Sequence, residues 1–173
     1  MKLLLVEDEE FTSEGILNML DWEKLGINEI KSADDGVNGL EIANSFLPDI
    51  LLTDVRMPRM NGIDLAFKIR EFIPDCIIIF MSGYSDKEYL KSAIALSAVN
   101  YIEKPLDLKE LHETLLKAVR QCKQESEEQR QRAISLSALK KQVTLELLRK
   151  VNSNKDLLEK AKLAFPGICI NSR

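Results

Sequence analysis

The chain has 173 residues, of which 45% are hydrophobic, and it carries a formal net charge of −4. That length allows one domain with a substantial core and a smaller appendage. No apolar run approaches the roughly 20 residues that span a bilayer. The three cysteines are odd in number and lack the spacing of metal ligands. We therefore expect a reduced, cytoplasmic protein with no membrane-spanning segment.

The charge is divided unevenly along the chain. Residues 1–120 hold 13 Lys and Arg against 22 Asp and Glu, a net of −9, whereas residues 121–173 hold 11 against 6, a net of +5. The basic residues of the second part are interspersed with Glu and Gln and lack aromatic neighbours. This pattern favours an exposed helix surface over a nucleic-acid-binding tail. We expect a domain at 1–120 and a helical extension at 121–173.

Five segments of the first part have the character of strands. Four are short, rich in Val, Ile and Leu, and lack polar alternation, as is typical of strands buried on both faces of a parallel sheet. A fifth, weaker segment lies between the first two. In chain order these segments cover 3–6, 29–33, 50–53, 77–81 and 99–102.

Amphipathic stretches lie between these strands and predict helices. Their apolar residues recur at helical spacing, and the last helix begins near Asp107, a suitable N-cap. Five strands and five helices in strict alternation, with right-handed crossovers, predict an α/β fold. We expect a flavodoxin-like, doubly wound, five-stranded parallel sheet of order 2-1-3-4-5, with helices on both faces. The first four helices are predicted at 11–20, at 37–46, between Gly62 and Pro74, and at 86–97.

The extension continues the last helix. Residues 121–132 are almost wholly polar and contain no Gly or Pro, so we expect the helix to pass residue 125. In a heptad frame, the core positions between 108 and 122 and between 136 and 143 are apolar. The core positions that separate these two segments, 125, 129 and 132, are polar. A weak coiled coil between two copies and a solvated linker helix both fit this pattern. We expect a break at 152–154, a short helix at 156–165 and the start of a strand at 168–170, in a chain that is part of a longer protein.

Polar side chains follow the strands at their carboxyl ends. Glu7 and Asp8 follow the first strand and Asp54 the third, while Ser82 and Lys104 follow the fourth and fifth. Ligand sites of open parallel sheets lie at the carboxyl ends of the strands, and the predicted order places strands one and three side by side. We therefore expect these five side chains to converge on one crevice.

This set of side chains suits phosphoryl uptake. Clustered carboxylates repel one another unless a cation lies among them, and Mg²⁺ is usually held by one or two carboxylates with phosphate oxygens. Asp54 is a competent nucleophile for forming an aspartyl-phosphate. Phosphoryl transfer needs mainly positioning and stabilisation of charge, which Lys104 and the Ser82 hydroxyl can supply.

Residues 1–120 resemble the receiver domain of two-component response regulators, which accept a phosphoryl group from a sensor histidine kinase. As a set the matching motifs are specific, although each alone is common. They are Glu7-Asp8, Asp54 with Met57-Pro58 and Asn61-Gly62, Ser82-Gly83, Tyr101, and Lys104-Pro105.

The resemblance implies a role for each motif residue. Asp54 would be phosphorylated, and Asp8, Asp54 and the backbone carbonyl of Arg56 would bind Mg²⁺, with Glu7 acting mainly through water. Glu at position 7 departs from the commoner Asp, which bears on Mg²⁺ affinity. Ser82 and Lys104 would contact the phosphoryl group. Tyr101 would be the aromatic switch, the Lys104-Pro105 bond would be cis, and the phosphoryl-binding and switch positions would be Ser82, Gly83, Tyr101, Lys104 and Pro105.

The overall pattern resembles the AraC-like response regulators in particular. That likeness implies control of transcription, with DNA bound only through an output domain that this chain does not contain. The receiver resemblance implies that phosphorylation remodels the face made by the predicted helix 86–97, the fifth strand and the last helix. Opposite charges on that face suit pairing across a symmetric homodimer. The charged residues expected on that face are Lys87, Lys91, Glu103, Asp107 and Glu113.

Two other functions remain open. A Mg²⁺-dependent phosphatase would also use an aspartate nucleophile, but such enzymes place Asp-x-Asp after the first strand, where this chain has Glu7-Asp8-Glu9. A receiver-like scaffold that is never phosphorylated is the other. We expect no catalysis beyond the chain's own phosphorylation and dephosphorylation. His112, the only histidine, is expected at the surface and not as a phosphodonor.

Overall fold

A computed structural model of the chain describes residues 1–83 and 100–153. These residues divide into two units, one ending at Gln124 and the other beginning at Glu125. The predicted helix at 86–97, with Lys87 and Lys91, lies outside the described residues. So do the predicted short helix at 156–165 and the strand-like residues 168–170.

The first unit is built on a five-stranded parallel sheet in the order β2-β1-β3-β4-β5, which confirms the predicted topology. β3 and β4 are buried along their whole length, as their continuous apolar sequence predicted. The register pairs Asp54 with Met81 and Ser82 with Glu103, so these residues share one edge of the sheet. The strands are β1 (Lys2–Val6), β2 (Glu29–Ala33), β3 (Ile50–Asp54), β4 (Ile77–Ser82) and β5 (Asn100–Glu103).

Helices cover both faces of the sheet, as predicted, but their strict alternation with strands was wrong. A four-residue helix follows the first helix directly. It forms because the Asp21 carboxylate accepts a hydrogen bond from Lys24 N (3.3 Å) and Gly26 takes the left-handed φ of 85° that ends it. Four residues are too few to show apolar periodicity. The described helices are α1 (Glu10–Met19), α2 (Trp22–Leu25), α3 (Gly36–Phe46), α4 (Gly62–Phe72) and α5 (Leu108–Ser153).

Alternate residues of each central strand enter two separate cores. On one face, side chains such as Leu3 and Leu5 pack with Ile16 of α1 and Leu115 of α5. On the other face, Leu4, Val6, Leu51 and Ile78 pack with Ala43 of α3 and Leu65, Ala66 and Ile69 of α4. Because both faces are covered, the strands need no polar alternation.

Two side-chain caps fix the starts of the helices that flank the site. The Asn61 side chain accepts a hydrogen bond from Asp64 N (2.8 Å) at the start of α4. Asp107 caps α5 by accepting from Lys109 N (2.8 Å) and Glu110 N (3.0 Å), as predicted. These caps set where the loops after β3 and β5 end.

α5 continues to Ser153, which confirms the prediction that it passes residue 125. His112 is exposed on it, as predicted. In the second unit, the apolar side chains Leu136, Leu139, Val143 and Leu147 are each about half exposed. Among the described helices, none combines the length and the apolar character that crossing a membrane requires.

Candidate phosphoryl-acceptor site

Three carboxylates meet at the carboxyl ends of β1 and β3. One oxygen each from Glu7, Asp8 and Asp54 lies within 4.8 Å of the others. Glu7 and Asp54 are buried, with exposed fractions of 2% and 7%, whereas Asp8 is exposed. The fold therefore brings together, as predicted from the strand ends, residues that the sequence separates by almost fifty positions.

Lys104 brings its ammonium group into this acidic cluster. Its Nζ lies 3.0 and 2.9 Å from the two carboxylate oxygens of Glu7, and 2.8 Å from Asp54 Oδ2. The backbone holds this lysine in place, because Lys104 N donates to Ser82 O (2.8 Å). The Lys104-Pro105 bond is cis, as expected. The ammonium thus bridges two of the three acidic residues.

The protonation of the cluster follows from its burial. Burial raises the pKa of Glu7, the hydrogen bonds and charge of Lys104 oppose that rise, and the nearby charge of Asp54 adds to it. Burial lowers the pKa of Lys104, but hydrogen bonds to Asp54 and Glu7 outweigh it and leave a raised pKa. Three carboxylates beside one ammonium leave an excess of two negative charges when all are ionised. That oxygen-rich, doubly negative set fits a hard divalent cation such as Mg²⁺.

The backbone at Asp54 is fixed by close neighbours. Thr53 Oγ1 donates to Asp54 O (3.0 Å), and Arg56 N points to Asp54 Oδ1 at 3.4 Å. Gly62 passes so near that a Cβ built on it would lie 1.9 Å from Asp54 O and 2.8 Å from Thr53 Oγ1. Glycine is therefore required at position 62 to support the acidic side chain eight residues earlier.

Ser82 lies at the same edge of the sheet as Asp54, whereas Tyr101 lies in the middle of β5, paired with Phe80. In the described part of the chain, neither hydroxyl group forms a hydrogen bond with the three carboxylates. Ser82 is fully buried, and its Oγ donates to Gly83 O at 3.5 Å. Tyr101 packs against the core on the α3 and α4 face. Its buried hydroxyl has no hydrogen-bond partner among the described residues.

Sequence reasoning missed one pair of residues beside the site. Asp35 is 2% exposed and caps α3 by accepting from Val37 N (2.7 Å) and Asn38 N (3.0 Å). Its other oxygen forms an ion pair with Arg59, a residue of the loop after Asp54. The Asp-Gly dipeptide before a helix was a recognisable N-cap signal, but nothing in the sequence indicated its partner.

An open groove of about 920 Å³ leads to the carboxylates between α1 and α3. The charged side chains that line it are all acidic, which gives the approach to the site a negative potential. They are Glu7, Asp8, Glu10, Glu14, Asp34 and Glu41.

Comparison with known proteins identifies the family. Residues 3–116 match the response regulator receiver domain. The solved structure of a two-component transcriptional regulator, AraC, from Clostridium phytofermentans ISDg has a TM-score of 0.69 and 47% identity, covering 72% of this chain and 96% of that one. The receiver domain of AraT, a response regulator from Geobacillus stearothermophilus, has the same TM-score with 34% identity, covering 72% and 97%. The chain belongs to the response regulator receiver family.

Curated relatives agree with this assignment. An uncharacterized response regulatory protein of Staphylococcus epidermidis is 37% identical over 114 residues, which are 66% of this chain and 45% of that protein. The transcriptional regulatory protein HptR of Staphylococcus aureus is 36% identical over 119 residues, or 69% of this chain and 46% of HptR. The chain thus spans less than half the length of these curated relatives.

Proposed function

We propose that the chain accepts a phosphoryl group on Asp54 from the phosphohistidine of a sensor histidine kinase. The observation that carries this proposal is the contact of Lys104 Nζ with both Asp54 and Glu7, inside a cluster of three carboxylates. An aspartate held beside a fixed cation, with an excess of acidic oxygens around it, has what phosphoryl transfer requires: a nucleophile and positions for positive charge.

The acidic cluster is the proposed Mg²⁺ site. Glu7, Asp8, Asp54 and the backbone carbonyl of Arg56 are the residues that would hold the ion, with Glu7 acting mainly through water. When bound, Mg²⁺ supplies positive charge for the phosphoryl oxygens. The described contacts support this role, because Lys104 alone leaves two negative charges of the cluster without compensation.

In the proposed transfer, a carboxylate oxygen of Asp54 attacks the phosphorus atom of the phosphohistidine. The new O–P bond forms as the N–P bond breaks, and the bonding electron pair returns to the imidazole nitrogen. Lys104 can move one of its contacts from a carboxylate to a phosphoryl oxygen without leaving the site. Ser82 and the backbone at Gly83 supply donors, and Pro105 fixes the turn that carries Lys104.

The signal is then a shift between two conformations. The phosphoryl group adds close to two negative charges and three acceptor oxygens at the edge of the sheet. We propose that Ser82 moves toward it and that Tyr101 follows as the switch residue. The buried Tyr101 hydroxyl without a described partner supports this, because such a group gains a hydrogen bond when the ring moves.

Transcription is the proposed output, exerted in the cytoplasm through a DNA-binding output domain. We also propose a homodimer. Leu136, Leu139, Val143 and Leu147 recur at spacings of three and four residues on α5, so they lie on one helix face. Light scattering on the phosphorylated chain should give the mass of a dimer. A monomer both with and without phosphorylation would remove the dimer from this proposal.

The chain has no proposed catalysis beyond its own phosphorylation and dephosphorylation. Neither the phosphatase nor the unphosphorylated scaffold gains support from the relatives. Incubation with acetyl phosphate and Mg²⁺, followed by intact mass measurement, separates the three functions. One added phosphoryl group, lost in Asp54→Asn and kept in the control Asp64→Asn, supports the proposal. Turnover of unrelated phosphoesters, or no adduct at all, contradicts it.

A further inference from the structure

The loop between β3 and α4 is held at its base and at its tip. At the base, Gly62 N donates to Val55 O (3.1 Å). At the tip, Met60 O accepts from Gly36 N (3.2 Å), and the Arg59 guanidinium pairs with the Asp35 carboxylate. The tip is therefore attached to the start of α3, an element that follows a different strand.

The Asp35 carboxylate is oriented by backbone hydrogen bonds that do not involve Arg59. Asp35 directs one oxygen to two backbone N–H groups of α3 and leaves the other for the guanidinium. Arg59 adopts a left-handed φ of 62°, which is uncommon and unfavourable for a residue other than glycine. We call this ion pair the Arg59–Asp35 clamp. Its contacts offset an unfavourable backbone conformation at a single position.

The clamp joins the two sides of the acidic cluster. Arg56 lies between the base of the loop and its clamped tip, so its carbonyl is placed by both attachments. On the other side, Glu7 N donates to Ala33 O (3.1 Å), two residues before Asp35. Fixing Arg59 against Asp35 therefore fixes the loop after Asp54 relative to the segment that carries Glu7 and Asp8.

We propose that Arg59 is a positioning residue for the Mg²⁺ and phosphoryl site, acting through its ion pair with Asp35. This inference rests on the proposed function and deepens it, because it names a residue that sets the metal affinity without contacting the metal. Removing a residue that holds a metal ligand in place, without itself contacting the metal, typically weakens metal affinity by about 10- to 100-fold.

The sign of the effect separates the clamp from simple electrostatics. Removing a positive charge near an acidic cluster strengthens the attraction of that cluster for a divalent cation. Loss of the clamp does the reverse, because the loop is freed and the Arg56 carbonyl is no longer held in place. A weaker Mg²⁺ affinity in a neutral variant of Arg59 is therefore explained by positioning and not by charge.

The test is a calorimetric Mg²⁺ titration of the full chain. Arg59→Asn removes the cation but tolerates the left-handed φ, and we expect its Mg²⁺ dissociation constant to rise about tenfold. Arg59→Lys keeps the charge and should recover part of the affinity. Lys24→Ala, which removes a cation from an exposed pair with Asp21 far from the site, should stay within about twofold of the wild type.

A second measurement needs no metal. Amide hydrogen exchange in EDTA should be faster over residues 56–60 in Arg59→Asn than in the wild type, and unchanged in Lys24→Ala. Unchanged exchange together with unchanged or tighter Mg²⁺ binding in Arg59→Asn would overturn the clamp alone. A wild-type chain that binds no Mg²⁺ would instead contradict the proposed function, and the role of Arg59 with it.

Discussion

Lys104 and Asp54 are fifty positions apart in the chain, yet Lys104 Nζ lies 2.8 Å from Asp54 Oδ2. The same ammonium also contacts both oxygens of Glu7. Before any phosphoryl group arrives, the lysine thus balances part of the charge of two buried acids. Its role in the fold and its proposed role in the chemistry can be measured separately.

Lys104→Met should destabilise the chain in EDTA, because Glu7 and Asp54 then lose their shared cation. The three side chains of these two ion pairs are 0–21% exposed, between a surface and a fully buried ion pair, so we expect a loss of about 2 kcal/mol in the free energy of unfolding. Urea denaturation measures it. Lys24→Met, at an exposed pair, should leave the free energy of unfolding unchanged within the error of the measurement. If Lys104→Met lost no more stability than Lys24→Met, the Lys104 contacts would contribute little to the free energy of unfolding.

Glu7→Gln tests the cost of crowding the carboxylates. Because burial raises the pKa of Glu7, its ionised form is disfavoured in the folded chain, and Gln removes that charge at nearly the same volume. We expect the variant to be at least as stable as the wild type in EDTA, but to gain less stability from added Mg²⁺. Thermal unfolding with and without Mg²⁺ checks both. The exposed Glu71→Gln should match the wild type; a marked loss of stability in EDTA for Glu7→Gln would contradict this account.

Alanine substitutions at two glycines should have opposite effects on the stability of the chain. At Gly62 an added Cβ would collide with the Asp54 carbonyl, so Gly62→Ala must displace the backbone of the acceptor, and we expect a loss of about 3 kcal/mol or more. At Gly15 in α1 the nearest atom to an added Cβ is Met19 Cε, at 3.7 Å. Gly15→Ala should therefore stabilise the chain by about 0.5–1 kcal/mol. Similar stabilities of the two variants in urea would show that position 62 has room to adjust.

Cys76 should be an inert thiol. It is 1% exposed directly before β4, and burial raises its pKa to about 12. A raised pKa in the fold means that the neutral thiol stabilises the folded chain, and that this contribution is lost as the pH rises from about 9 toward 12. At pH 8, iodoacetamide followed by peptide mass mapping should label Cys76 only after unfolding. Labelling in the native chain at the rate of an unfolded thiol would contradict the burial.

The sequence predicted the sheet well because its strands are buried on both faces. A continuous apolar run such as 50–53 is best explained as a buried strand when the chain contains other runs of the same kind. Strand order then followed from general rules of α/β folds, and with it the meeting of Glu7, Asp8 and Asp54. Those rules act on whole elements, and so they hold even where a boundary is one or two residues off.

Such rules do not predict contacts between individual side chains of loops. The pairing of Arg59 with Asp35 depends on a left-handed residue and on the exact approach of two loops, and no periodicity encodes either. The contact of Lys104 with Glu7 is of the same kind: the strand-end rule placed both residues at one edge, but not the 2.9 Å between them. Helix α2 was missed for a local reason, since four residues fall below the length at which apolar spacing is visible.

The most direct test of the central claim is to locate the phosphoryl group. The chain is phosphorylated with acetyl phosphate and Mg²⁺ and treated with borohydride, which reduces an aspartyl-phosphate to homoserine, and its peptides are then sequenced by mass spectrometry. We expect homoserine at position 54 and at no other acidic residue, and none when Mg²⁺ is replaced by EDTA. Homoserine at Asp8 instead of Asp54, or a phosphoryl group that resists borohydride on another residue, would contradict the central claim.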